Sequence, residues 1–198
     1  MHRSERDKPQ EQRAIHTGPR VILRYPVKGD RDAYVRIRRE SRSLHEAWEP
    51  LPPRGFDPYS GQGFDRDLLG CRAPEREALL VCLKDSGQMV GRVAFQQIIR
   101  GPLQQCFLGY WVSSSHAGQG YMKEAIGLAL RHAFITLGLN RVEANIQPDN
   151  MASRAVVRAN GFRLEGFSPR YLKIQGRWQD HERWAMDAGE WNLQTRGS

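Results

Sequence analysis

The segment SSSHAGQGYMKEA, residues 113–125, carries the most legible chemistry in this chain. A strand-like run from Gln105 to Ser113 passes through a short loop holding Gly118 and Gly120 straight into an amphipathic stretch. That join can bind phosphate, because the first amides of a helix lack internal partners and converge on one spot, and glycine lets an anion approach the backbone. It is not a Walker loop, since no Gly-Lys-Ser/Thr follows, and it lacks the G-x-G-x-x-G dinucleotide fingerprint. A tight turn is the competing reading of G-x-G taken alone. Asn150 and Ser153 stand one helical turn apart, and by residue type they read as a helix N-cap and a polar first-turn residue. Glu49, between Trp48 and Pro50, is by residue type a solvated loop carboxylate. Asp180 and His181 are adjacent on a strand and so point to opposite faces, which suits a structural role better than an acid–base dyad. The histidines show no metal-ligand spacing, and Cys71, Cys82 and Cys106 match neither a disulfide framework nor a zinc pattern.

The elements that must hold these residues follow from periodicity and punctuation. Val21 to Arg24 reads as a strand ended by Pro26, and Asp30 can cap a helix running through Val35, Ile37 and Leu44. Ala47 to Gly63 holds four prolines and three glycines around Trp48 and Phe56, which is loop composition, and a short helix from about Phe64 to Gly70 follows. Glu77 to Lys84 and Met89 to Gln97 flank Asp85-Ser86-Gly87 as a hairpin. One helix is predicted over Gly118 to Leu137, with Met122, Ile126, Ala129, Leu130, Ala133, Phe134 and Leu137 on one face and Gly138 at its end. Arg141 to Ile146 alternates like a half-buried strand, Asn150 to Asn160 has helical spacing, and Arg163 to Ala185 contains two strands joined around Gln175-Gly176.

A chain of 198 residues with 39% hydrophobic content can build one sizeable core, so a single domain over residues 17–198 is expected behind a disordered polar tail, residues 1–16. No stretch approaches the ~20 apolar residues of a membrane span, and the start has no apolar segment followed by a small-residue cleavage site, so a cytoplasmic protein without membrane association is expected. The net charge of +8 favours encounter with anions, although a solvated basic surface is the simpler reading.

Ala117-Gly118-Gln119-Gly120-Tyr121-Met122 resembles the pyrophosphate loop of GNAT acetyltransferases, Gln/Arg-x-x-Gly-x-Gly/Ala. Ala117 replaces the usual Gln or Arg; Met122 replaces the usual Gly or Ala, as in RimJ-type loops. Trp48-Glu49-Pro50, residues 100–112 (RGPLQQCFLGYWV), residues 145–153 (NIQPDNMAS), residues 160–166 (NGFRLEG) and residues 171–181 (YLKIQGRWQDH) are similar to the RimJ/RimL pattern, and the resemblance spans about Val21 to Asp187. It implies an α/β GNAT fold with a mixed central sheet of about seven strands flanked by about four helices. It implies acetyl-CoA as cofactor, with Trp111 and Val112 pairing the pantetheine arm, residues 117–122 (Ala117, Gly118, Gln119, Gly120, Tyr121 and Met122) at the pyrophosphate, Asn145 and Asn150 on the cofactor, and Ser153 near the thioester sulfur as proton donor. Trp48, Glu49 and Tyr171 would face the acceptor. Phe107 and Arg170 stand where some relatives carry a carboxylate, and Val157 where many carry a tyrosine acid. So little base machinery suits a protein α-amine of pKa ~8 better than a lysine near ~10.4. The expected activity is acetylation of a protein or peptide N-terminus, at the ribosome among other settings. A small-amine acetyltransferase or a non-enzymatic acetyl-CoA- or nucleic-acid-binding module are the alternatives.

Overall fold

The computed structural model describes residues 13–196. In chain order the elements are β1 His16–Thr17, β2 Val21–Arg24, α1 Arg31–Glu40, α2 Arg42–His45, α3 Gly61–Leu69, β3 Arg72–Ala73, β4 Arg76–Leu83, β5 Met89–Ile99, β6 Gln105–Val112, α4 Tyr121–Arg131, β7 Arg141–Ile146, α5 Met151–Ala159, β8 Arg163–Ile174, β9 Arg177–Asp187 and α6 Ala188–Arg196. The sheet runs β1-β2-β4-β5-β6-β7-β9-β8, with β3 paired beside β4. All pairs are antiparallel except β6 with β7, so the α/β mixed-sheet expectation holds. The strands beyond the expected seven, β1 and β3, have two residues each, too few to show a period.

The sheet buries both faces. Leu79 and Val81 of β4 join a core with Ile126 and Leu130 of α4 and Val157 of α5, whereas Leu80 and Cys82 join Tyr34 and Ile37 of α1 and Phe64 of α3. That is why β4 reads as an unbroken apolar run, while β7, with Val142, Ala144 and Ile146 inward, alternates. All three cysteines are buried thiols outside any disulfide.

Several boundaries differ from expectation for visible reasons. The first helix breaks at Ser41, which is buried and accepts a hydrogen bond from the Ser114 amide at 2.9 Å. Asp30 precedes α1 but does not cap it; its carboxylate takes both terminal nitrogens of Arg24 at 2.7 and 2.6 Å. Ser60 starts α3 three residues earlier than predicted by capping Gln62. The long helix after the glycine loop is α-helical only to Arg131, then widens to a π turn over His132–Thr136. In that turn the buried His132 ring reaches Glu77 at 2.7 Å and His16 at 2.9 Å. Ile15 and His16 already pair with the sheet, the Ile15 amide donating to Leu23 at 2.7 Å and His16 lying in β1. The rest of the expected tail, residues 1–12, lies outside the described residues. Helix α6 had no counterpart in the reading of the sequence.

Candidate active site

Strands β6 and β7 pair at only three positions, Gln105 with Arg141, Cys106 with Val142 and Phe107 with Glu143, and then part. The parting leaves one edge of β6 open from Leu108 to Val112. The Ser113 amide donates to Val90 on β5 at 2.7 Å, so by alternation Trp111 also turns its main chain to β5, while Tyr110 and Val112 present theirs to the gap. The groups able to pair an extended ligand are therefore those of Tyr110 and Val112. The Trp111 side chain lies on the other face of the sheet against Tyr34, ring centroids 5.5 Å apart.

A cleft of about 480 Å³ opens along this gap, walled by β6, the loop before α4, the first turn of α4 and the length of α5. The loop turns through Gly118 and Gly120, with φ of 74° and 81°, a region costly for residues with a Cβ. A Cβ on Gly118 would meet nothing within 4 Å, so the backbone there is open to a ligand. Among the described residues, the backbone amides from Gly118 to Lys123 have no hydrogen-bond acceptor. Orphan amides at a helix start beside a slot between splayed strands fit a pyrophosphate joined to an extended arm. Arg20 clamps the loop from outside: its Nε donates to Glu124, its Nη1 to the Gln119 carbonyl at 3.0 Å, and its guanidinium lies 4.8 Å from the Tyr121 ring centroid. Burial alone would raise the Glu124 carboxyl, but the Arg20 and Val21 amides and the Arg20 side chain hold it below the usual carboxylate range.

On α5, Asn150 is the N-cap, accepting from the Ser153 amide at 3.0 Å. The capping role and the cleft role coincide, because Asn150 and Ser153 both line the cleft. Tyr110 lies beside them and donates from its hydroxyl to the Ser153 carbonyl at 3.2 Å.

The acceptor side is built from residues that no short motif links. Arg38 of α1 grips both oxygens of Glu49 at 2.8 Å, and the Tyr59 hydroxyl donates to the same carboxylate at 2.9 Å. Arg38 also donates to His45 Nδ1 at 3.1 Å, so the His45 proton sits on Nε2 and is donated to the Val112 carbonyl at 2.9 Å. Burial, and then the Arg38 charge, hold His45 below the ordinary histidine value. Glu49 is thus a pinned carboxylate rather than a solvated one, and among the described residues no other acid lines the cleft.

The structure brings Trp48, Glu49, Trp111, Val112, Ala117, Gly118, Gly120, Met122, Asn150 and Ser153 together along this cleft. It does not bring Gln119, Tyr121, Asn145 or Tyr171 to its wall. Gln119 donates from its side chain back to the Ser115 carbonyl, Tyr121 stacks beneath Arg20, and Tyr171 packs on His181 at 5.9 Å. Asn145 points away from the inward face of β7, with its buried Oδ1 unpartnered. Asp180 accepts from the Arg170 amide at 2.7 Å, a cross-strand contact where the β8–β9 register shifts, in keeping with a structural role. Reading the sequence missed Arg20, Arg38, His45, Tyr59 and Tyr110; only the seven-residue spacing of Arg38 and His45, which the chain divides between α1 and α2, offered a signal. Among the described residues no cluster of three or more His, Cys, Asp or Glu could hold a metal, and no helix is long and apolar enough to cross a membrane.

A mixed sheet splayed beside a glycine-shaped helix start is the architecture of an acyl-transferring N-acetyltransferase. The chain belongs to the GNAT acetyltransferase family: the family described as "Acetyltransferase (GNAT) domain" matches residues 20–163. It is 42% identical over 169 residues to a Bacillus subtilis (strain 168) protein named probable N-acetyltransferase YjcK, covering 83% of this chain and 92% of that one. It is 29% identical over 179 residues to the Escherichia coli (strain K12) [ribosomal protein uS5]-alanine N-acetyltransferase, covering 88% and 91%. Its fold matches Mycobacterium smegmatis RimJ, solved in complex with CoA-disulfide, with a TM-score of 0.78 and 34% identity over 86% of this chain and 83% of that one.

Proposed function

We propose that this protein transfers the acetyl group of acetyl-CoA to the N-terminal α-amine of a protein or peptide in the cytoplasm, with ribosomal proteins as the acceptor class. Acetyl-CoA supplies an activated thioester. The amides from Gly118 to Lys123 hold its pyrophosphate, and the gap-facing main chain of Tyr110 and Val112 pairs its arm. Asn150, its Oδ1 spent on the cap, keeps a side-chain amide to donate, and the Ser153 hydroxyl stands one helical turn away beside the departing sulfur.

The observation that carries the choice of acceptor is the state of Glu49. A polyamine or aminoglycoside brings several positive charges and calls for a carboxylate-rich pocket. This cleft offers one carboxylate, already matched by Arg38 and Tyr59. His45 offers no lone pair for use as a base, because Arg38 occupies Nδ1. An amine that is partly neutral at cellular pH needs neither aid, which describes a protein α-amine rather than a lysine. The likeness to the uS5-alanine N-acetyltransferase and RimJ supports a ribosomal acceptor, and a net charge of +8 favours encounter with an RNA-rich assembly.

The test is thiol release from acetyl-CoA against peptides with free N-termini, the same peptides N-terminally blocked but carrying lysine, polyamines and aminoglycosides. Turnover confined to free N-termini is expected. Turnover confined to polyamines or aminoglycosides would contradict the proposal.

A further inference from the structure

At position 157 of α5, where the resemblance places a tyrosine acid, Val157 is fully buried in the core and has no proton to offer. A phenol nevertheless reaches the same helix from the neighbouring strand. Tyr110 of β6 packs its ring against the core on the α5 side, lines the cleft beside Asn150 and Ser153, and rests its hydroxyl on the Ser153 carbonyl at 3.2 Å. We propose that the Tyr110 hydroxyl is the hydrogen-bond donor that receives the departing sulfur of coenzyme A, doing from β6 what a tyrosine on α5 would otherwise do.

The 3.2 Å bond is long for a hydroxyl donor, and its acceptor is a carbonyl already within a helix, so the phenol can turn to a better acceptor without stranding a buried group. A thiolate forming in the cleft is such an acceptor, and a hydrogen bond to an ionised group is roughly twice as strong as a neutral one. Burial pushes the Tyr110 phenol up to about 12, so it remains a donor across the working range of pH. In the transfer the carbon–nitrogen bond forms, the carbon–sulfur bond breaks with its electron pair on sulfur, and Tyr110 Oη stabilises that pair. The proton lost by the acceptor nitrogen leaves to solvent, and solvent later protonates the thiolate.

This inference rests on the coenzyme A reading of the cleft but not on the identity of the acceptor, and its test needs no acceptor. Coenzyme A is bound to the wild type and to Tyr110→Phe, which keeps the ring, and thiolate formation is followed against pH by the absorbance difference between loaded and free protein. In the variant the bound thiol should need at least about tenfold less proton activity to ionise, a shift of about one pH unit upward. Coenzyme A affinity should stay within about threefold, while turnover on whichever amine the wild type uses falls about tenfold or more. Identical thiol titrations, or affinity lost in proportion to turnover, would overturn the assignment and leave Tyr110 a packing residue. Failure of the wild type to bind coenzyme A would overturn this inference and the cofactor reading together, whereas activity on an unexpected amine would overturn the acceptor alone.

Discussion

Glu49 and Arg38 show how much of this site depends on single side chains. The Arg38 side chain is 4% exposed and that of Glu49 29%, so removing the carboxylate leaves a nearly buried cation without its main partner. Glu49→Ala should therefore destabilise the protein by about 2–3 kcal/mol, less than a wholly buried pair would cost, and thermal unfolding reads the change. Ser153→Ala should lower kcat more than it weakens acetyl-CoA binding, because its amide, not its hydroxyl, makes the N-cap bond. An unchanged rate at saturating acetyl-CoA would remove Ser153 from the chemistry. The glycine loop was legible residue by residue, since its function lies in backbone shape and few residue types permit it. The Arg38, His45, Glu49 and Tyr59 cluster was not, because its logic is which partner each nitrogen and oxygen finds in space, and arginine and glutamate in a sequence look alike whether solvated or pinned.

At the scale of elements, the cleft exists because β6 and β7 pair for three residues and stop. The order of strands and helices along the chain, the hairpins and the helix faces could be read from period and turn chemistry, but which edge of β6 faces the gap depends on the register with β5, which a sequence does not display. Helix ends shifted where a buried polar side chain had a distant partner to reach, as at Ser41 and His132. Arg20 joins the chain just before β2 to the loop and to α4, so Arg20→Ala should raise KM for acetyl-CoA several-fold with little change in kcat, measured by varying acetyl-CoA at saturating acceptor. Gly91 sets how closely β5 and β6 approach: a Cβ there would stand 2.5 Å from the Trp111 carbonyl and 3.1 Å from Met122. Gly91→Ala should cost about 1–3 kcal/mol and push β6 toward the gap, seen as a lower denaturation midpoint together with weaker acetyl-CoA binding.

For the whole molecule, stability should depend on pH through its buried and half-buried histidines before its carboxylates matter. Burial is the first cause lowering His16, His45 and His181. Above the ordinary histidine value of ~6.5 both folded and unfolded chains are neutral at these sites; as pH falls through it the unfolded chain takes protons first, so stability declines until the lowered folded values are passed. Thermal melts should thus weaken between about pH 7 and pH 5, and His45→Gln should flatten part of that slope. The basic surface of the molecule bears on encounter rather than on fold, and its effect should fade with salt. One competition measures the choice of amine: a peptide with a free N-terminus and an internal lysine is incubated with acetyl-CoA and the enzyme, and the acetylated nitrogen is located by mass spectrometry. Acetyl on the α-amine alone is the predicted result; acetyl on the lysine side chain would contradict it.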